Sequence, residues 1–172
     1  MKGTIDGSLN HAKEIILNDP KEKAEHATIV DLIRNDLSRV ASSVHVSTYR
    51  YYEEISTRQG RLGQVSSVVE GKLPADYHEK IGDLLFTLLP AGSISGAPKN
   101  KTKEIIKKAE KNERGYYTGV AGYFDGESLD SCVLIRYLQA NNMYRSGGGI
   151  TAQSDAEKEY HEMIRKIYVP IF

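Results

Sequence analysis

The 172-residue chain contains no tryptophan and a single cysteine. One thiol excludes an internal disulfide framework and fits the reducing conditions of a cytoplasm. Cys132 lies in the apolar run Cys132-Val133-Leu134-Ile135, which predicts a small buried hydrophobe. An excess of either charge is also missing. Lys+Arg and Asp+Glu number 23 each, for a formal net charge of zero. A general electrostatic grip on nucleic acid needs a basic excess, so no nucleic-acid partner is expected. No apolar run approaches membrane-spanning length, and none follows Met1-Lys2-Gly3-Thr4-Ile5-Asp6 to form a signal peptide. No membrane partner is expected, and a cytoplasmic location is. Internal repeats and low-complexity segments are absent as well.

What the chain does have is an ordinary globular composition, 40% hydrophobic and 27% charged, at a length that supports one domain with a sizeable core. The first third reads helical. Asn10 or Asn18-Asp19 can cap, Pro20 suits a first helical position, and an amphipathic pattern runs from Lys21 to Val40. Ala24, Ile29, Leu32 and Ile33 supply its apolar side. Val44 to Tyr49 and Leu62 to Val69 are β-branched-rich strands, with Gln59-Gly60 turning between them. Pro74-Ala75-Asp76 opens a helix carrying Ile81, Leu84, Leu85 and Leu88, which stops at Pro90. A second helix starts at Pro98 and turns Ile105, Ile106 and Ala109 inward. Three strands are expected over Tyr116 to Phe124, Ser128 to Gln139 and Met143 to Thr151, with turns at Asp125-Gly126 and Asn141-Asn142. The last helix starts at Ser154, with Glu157 completing a capping-box pattern, and runs to about Tyr168. Helices mixed with hairpin-joined strands predict an α+β fold, a layered antiparallel sheet with packed helices.

Two helices carry carboxylates at i,i+3: Glu22 with Glu25, and Glu159 with Glu162, with Lys166 one turn beyond Glu162. Each pair projects from one face. The pairs are either solvated charged faces or oxygen ligands for a hard divalent cation such as Mg2+. Gly147-Gly148-Gly149 brings backbone amides within reach of an anion, or marks a bulge or close strand crossing. Arg136, among apolar residues and on the same face as Leu134 by alternation, needs an anionic partner. That partner is an internal carboxylate or a bound one. Ser93, Ser95 and Lys99 precede a helix, where they can bind an anion or simply cap. Arg34-Asn35-Asp36 ends a helix as a cap or salt-bridge cluster. His26, beside Glu25, is the histidine that sits in a carboxylate cluster. His11, His45, His78 and His161 read as surface or capping residues.

Taken in order, these segments resemble the chorismate-utilising enzymes: anthranilate, aminodeoxychorismate, isochorismate and salicylate synthases. The matching text is Lys2-Gly3-Thr4, Lys21 to His26, Ile29 to Asp36, Pro90 to Lys99, Gly115 to Phe124, Leu129 to Cys132, Ile135-Arg136, Ser146 to Ile150, Glu159 to Glu162 and Lys166. It covers essentially the whole chain. The resemblance implies an anthranilate synthase component I-like fold, with Glu25 and Glu162 as Mg2+ ligands and Glu22 and Glu159 beside them. It implies that Tyr117 and Arg136 hold a carboxylate of chorismate, with Gly147, Gly148 and Gly149 as the backbone cradle. Lys166 is implied near the ring carboxylate, and Thr4 and Ser93 as hydroxyls lining the pocket.

Lys2 selects the branch. A lysine before Gly-Thr resembles the aminodeoxychorismate synthases, where anthranilate synthases typically have alanine. The implied function is component I of that synthase, making 4-amino-4-deoxychorismate for p-aminobenzoate and folate. Ammonia comes from a glutamine amidotransferase partner, and Lys2 forms a covalent adduct with the ring. The alternatives are an anthranilate or isochorismate synthase, or a non-catalytic binding module of the same family. Two departures stand out. Gln64 occupies a position where many relatives have histidine, and it cannot shuttle a proton at neutral pH. The upstream part of the family's domain, with its Ser-Pro-Glu general acid, is not in these 172 residues. The chain is therefore expected to be the C-terminal portion of the domain (residues 1–172), inactive alone and prone to self-association.

Overall fold

A computed structural model describes residues 3–58, 60–152 and 154–167, without the side chain of Arg165. The chain divides into two compact units, Met1–Thr102 and Lys103–Phe172. Helices and antiparallel strands occur in both, so the fold is α+β.

In the first unit, β1 (Thr4–Asp6), β2 (Ser42–Thr57) and β3 (Gly60–Lys72) form a sheet in the order β1-β3-β2. β3 is central and antiparallel to both neighbours, with Thr4 opposite Gln64 and Glu53 opposite Gln64 on the other side. Both long strands exceed the lengths expected from their β-branched cores, because cross-strand pairing carries polar residues along with them. Helices α1 (Ala12–Asn18) and α2 (Pro20–Leu37) replace the single expected pattern. They are separated by Asp19, whose carboxylate accepts from the Glu22 amide at 2.9 Å and whose own amide closes α1. Such a cap is worth about 1 kcal/mol. Pro20 then sits at the first helical position, where its missing N–H costs nothing.

α2 packs on β2 and β3, but not with the stripe expected from its apolar residues. His26 is 2% exposed and Val30 is buried, whereas Ala24 and Ile33 face outward. The buried stripe admits a histidine because β3 satisfies it: His26 Nε2 lies 2.7 Å from Ser67 Oγ. Ala12, Ile16, Val30 and Val65 form the fully buried apolar core among the described residues. A bulge in β2 sets Tyr49 and Arg50 against the single residue Ser67. Arg50 takes φ 51° there and gives its amide to Ser67 Oγ at 2.8 Å. Its guanidinium donates to the Ile16 and Leu17 carbonyls, each at 3.1 Å, closing the C-terminus of α1.

A 3-10 turn at Tyr77–Lys80 leads into α3 (Ile81–Leu88), where Ile81, Leu84, Leu85 and Leu88 are half-buried and Phe86 is exposed. The one-turn helix α4 (Gly92–Ser95) follows, and α5 (Lys99–Ala109) crosses from the first unit into the second. Of the inward set expected on α5, Ile106 is half-buried, whereas Ile105 is 55% exposed and Ala109 is exposed.

The second unit has shorter strands than alternation predicts. β4 (Val120–Phe124) pairs with β5 (Leu129–Val133), and β6 (Tyr137–Leu138) pairs with β7 (Tyr144–Arg145). The run expected to be one strand from Ser128 to Gln139 breaks at Arg136, which takes φ 54° and is exposed rather than half-buried beside Leu134. Cys132 is exposed too, because it lies on a two-stranded ribbon and opposite Ala121, not in a core. α6 (Ala156–Arg165) is capped by Asp155, which accepts from the Lys158 amide at 3.0 Å. The expected cap, Ser154, points its hydroxyl to Glu159 instead.

Between β4 and β5 the carboxylate of Asp125 accepts the Ser128 amide, the Glu127 amide and the Ser128 hydroxyl. These bonds lower its pKa from 3.8 to about 2. A depressed carboxyl contributes stability that is present above its unfolded value and lost as pH falls through its folded one. Amide-exchange protection across the β4–β5 turn is therefore expected to fall between pH 3.8 and about 2. Asp125→Asn should remove that pH dependence, and an unchanged acid profile in the variant would contradict the assignment.

Candidate functional site

The polar residues singled out by sequence fall into three groups. The first is on the sheet of the first unit. Thr4 is exposed on β1, directly across from Gln64. Gln64 does what an amide can do: its Nε2 donates to Glu53 Oε2 at 3.2 Å. Ser66, 6% exposed, donates to the same oxygen at 2.9 Å. Thr4, Gln64 and Glu53 thus line up across three strands on one face, because directly paired residues project together. Glu22 reaches back to the start of this sheet from α2. Its Oε2 is buried, and a Cβ added at Gly3 would come within 2.7 Å of it. Gly3 itself has φ 97°, a conformation side chains rarely adopt. Glu25, also on α2, lies 3.7 Å from the Lys21 ammonium with its side chain 32% exposed. Lys2 lies outside the described residues.

The second group joins two motifs that are 56 residues apart. Asp36, near the end of α2, accepts the Gly92 amide at 2.8 Å through Oδ2. Through Oδ1 it holds the Lys99 ammonium at 2.5 Å. Both side chains are mostly buried, so the pair is little screened by solvent and removal of either partner would strand a desolvated charge. Gly92 has no room for a side chain, since a Cβ would meet Asp36 Oδ2 at 2.7 Å and Leu32 Cβ at 3.2 Å. Ser95 is buried and returns its hydroxyl to the Ala91 carbonyl, while Ser93 is exposed. Of the readings open for these residues, ion pairing accounts for Asp36 and Lys99, while the Ser95 hydroxyl bonds back to Ala91 and does not cap.

The third group is in the second unit. Tyr117 is half-buried on the turn before β4. Its hydroxyl sits where a Cβ of residue 147 would be, so any larger residue at 147 has to displace the phenol. Gly148 and Gly149 are not crowded in this way. The nearest atom to a Cβ at 148 is Glu159 Oε2, at 3.6 Å, and nothing lies within 4 Å of one at 149. None of these three amides donates to another described residue, which leaves them available to an anion. Burial raises the Tyr117 phenol's pKa. The guanidinium groups of Arg114, Arg136 and Arg145 pull it back down, and Glu110 pushes it up. Ser146 Oγ, beside Gly147, is buried with no hydrogen-bond partner among the described residues. On α6, Glu159 accepts from Ser154 Oγ at 2.8 Å, and Glu162 pairs with the Lys166 ammonium at 2.5 Å.

Arg114, Arg145, Ser146, Glu53 and Ser66 were not singled out by sequence as members of these clusters. Arg114 stands one residue before the matching segment that begins at Gly115, and Ser146 opens the segment that ends at Ile150, so proximity to the motifs was the available signal. Glu53 gave none, because its place opposite Gln64 depends on the register of a bulged hairpin.

The carboxylates suit a hard divalent cation in chemistry, being all-oxygen donors in i,i+3 pairs. Among the described residues no three His, Cys, Asp or Glu side chains cluster within either unit.

An α+β chain with glycine-lined polar positions of this kind has clear relatives. The chorismate binding enzyme family matches residues 1–171, and the chain belongs to that family. It is 53% identical, over 99% of its length, to an uncharacterized PabA-like protein of Pasteurella multocida, and covers 54% of that protein. It is 42% identical to anthranilate synthase component 1 of Synechocystis sp., over 89% of the chain and 31% of the relative. Among solved structures, anthranilate synthase component I from Streptococcus pneumoniae matches with a TM-score of 0.74 and 35% identity. That match spans 91% of this chain and 36% of the other. A putative 2,3-dihydroxybenzoate-specific isochorismate synthase from Bacillus anthracis gives 0.74 and 25%, over 96% and 45%. The chain thus spans about half the length of the PabA-like relative.

The contact between Tyr117 and Gly147 yields a direct test. Gly147→Ala is expected to displace the phenol and destabilise the unit by about 1–3 kcal/mol, as overpacking does. In a Tyr117→Phe background the same substitution should cost less, because the overlapping hydroxyl is gone. Equal costs in the two backgrounds, read from denaturant unfolding, would show that the hydroxyl does not occupy that space.

Proposed function

We propose that the chain is the part of an aminodeoxychorismate synthase component I that binds chorismate. The observation that supports chorismate binding best is the Tyr117 hydroxyl seated against Gly147, next to unengaged glycine amides and under the influence of Arg136. A phenol, a guanidinium and free amides are the groups that recognise a carboxylate. Thr4, Ser93 and Lys166 are the further proposed substrate contacts. Lys2 before Gly3-Thr4 supports the aminating branch that puts nitrogen at C4.

Mg2+ is the proposed cofactor, with Glu22, Glu25, Glu159 and Glu162 as its candidate oxygen ligands. When bound it would fix the ring carboxylate and offset its charge. The reaction proposed for this chain's own residues starts with a neutral Lys2 amine, which a desolvated site favours. The amine forms a bond to ring C2 and loses a proton, both ring double bonds shift by one position (to C1=C6 and C4=C5), and the C4 hydroxyl takes up a proton and leaves as water. Ammonia then bonds to C4 and loses a proton, both double bonds return to C1=C2 and C5=C6, and the Lys2 amine departs with a proton. The net change is chorismate plus ammonia to 4-amino-4-deoxychorismate plus water. A glutamine amidotransferase is the proposed ammonia source, and the cytoplasm the proposed location. These 172 residues are proposed to be inactive alone and to self-associate through apolar side chains they leave exposed, among them Phe86 on α3. The anthranilate and isochorismate synthase relatives keep 2-amino and hydroxylated products as the second reading.

Product analysis separates these. A chain extended to the relatives' full length is expected to give 4-amino-4-deoxychorismate from chorismate, Mg2+ and ammonium, identified by mass spectrometry. Lys2→Ala should abolish or strongly reduce it. Lys2→Arg should not restore it, because a guanidinium stays protonated and is a poor nucleophile. A 2-amino product from the unsubstituted protein would move it to the anthranilate branch, and full activity in Lys2→Ala would reject the lysine adduct.

A further inference from the structure

Tyr117 stands on a turn that a free chain would not hold. Between α5 and β4 the backbone turns twice, with the Tyr117 amide bonded to the Arg114 carbonyl and the Gly119 amide to the Tyr116 carbonyl, both at 3.0 Å. Two residues of this turn are in the left-handed region, Gly115 at φ 55° and Thr118 at φ 68°. Glycine accepts that conformation, but a β-branched threonine is strained in it and stays only where surrounding contacts over-determine it.

The contacts come from Arg114. Its Nε and Nη2 take both oxygens of Glu110, at 2.8 and 2.5 Å, in a bidentate fork just beyond the last turn of α5. Its third nitrogen, Nη1, donates to Thr118 Oγ1 at 3.2 Å. The same guanidinium lies 5.6 Å from the centre of the Tyr117 ring. One planar group thus ties the helix end, the strained threonine and the phenol together, and a lysine could not make all three contacts. The Thr118 amide adds a bond to the Leu134 carbonyl at 2.9 Å, which fixes the turn to the chain leaving β5. The neighbouring Tyr116 has no such restraint and is 78% exposed.

We infer that Arg114, braced by Glu110, is the positioning residue that holds the Tyr117 hydroxyl against Gly147. Arg114 need not touch substrate. Its consequence for chorismate rests on the reading of Tyr117 as a substrate contact, whereas its effect on the phenol does not. Charges that act on that phenol are Arg114, Arg136 and Arg145, which favour phenolate, and Glu110, which opposes it.

The test uses 19F NMR of the 172-residue chain with 3-fluorotyrosine at its 11 tyrosines, a phenol that titrates below ordinary tyrosine. Tyr117→Phe assigns the Tyr117 signal, and the exposed Tyr123 serves as internal control. Arg114→Gln removes a cation and is expected to move the Tyr117 midpoint up. Glu110→Gln removes an anion and should move it down. Tyr123 should not move in either variant. Opposite shifts confined to Tyr117 are a signature that a merely structural arginine would not give. A Tyr117 signal unchanged in both position and midpoint in Arg114→Gln would overturn the proposal. Where Arg114→Gln fails to fold, an unchanged Tyr117 signal in Glu110→Gln overturns it equally. Calorimetric titration with chorismate and Mg2+ forms the second arm. Arg114→Gln is expected to weaken binding about tenfold, in line with the loss of the hydrogen bond from a displaced Tyr117 hydroxyl. Absence of chorismate binding in the unsubstituted chain would fail the functional reading and leave the positioning role to the NMR result.

Discussion

One hydroxyl organises the first unit. Ser67 Oγ accepts the Arg50 amide and shares a proton with His26 Nε2, so a single atom links β3, the bulge in β2 and the buried face of α2. Each partner depends on it. A buried imidazole nitrogen left without its hydrogen bond would cost on the order of 1–3 kcal/mol. A bulge amide facing inward would be orphaned in the same way. With both satisfied, Arg50 is free to turn its guanidinium onto the carbonyl end of α1. The rotation of α2 about its axis follows from the same bond. It carries Glu22 to the Gly3 end of β1, one turn before the histidine.

Local chemistry was legible where it was encoded by single residues. Asp19 and Pro20 start α2 as a cap and a first-turn proline should, and the apolar set of α3 faces as its spacing requires. The inner stripe of α2 was not legible, because hydropathy ranks His26 and Glu22 as solvent residues and knows nothing of Ser67. The break of the β5 strand at Arg136 was hidden for a related reason. Alternation through Val133-Leu134-Ile135-Arg136-Tyr137 is a strand pattern, and only backbone bonds between Leu134 and Gly119 and between Thr118 and Leu134 show where the ladder ends. Cys132 looked buried by its neighbours and is exposed by its ribbon.

The candidate site divides similarly. Motif text pointed to Tyr117, Gly147 and Asp36, and each takes part in a specific contact: a phenol over a glycine, and a carboxylate shared between an amide and a lysine. Three adjacent glycines nevertheless differ in what they do, and only the structure separates the crowded Gly147 from the open Gly149. Residues whose role is to hold another residue, such as Arg114 and Ser66, carry no chemistry of their own in a sequence scan. They appear only once their partners are in place.

The pairing of β1 with β3 sets an order of events during synthesis. Thr4 leaves the ribosome well before Gln64, its partner across the sheet. At ~5–20 residues per second the wait is roughly 3–12 s. The β2–β3 hairpin closes its own contacts locally and fast, whereas β1 has to cross a loop of nearly sixty residues to reach its place. The strand that carries Thr4 therefore waits for β3 longer than β2 does, and for those seconds it is open to a chaperone or a protease.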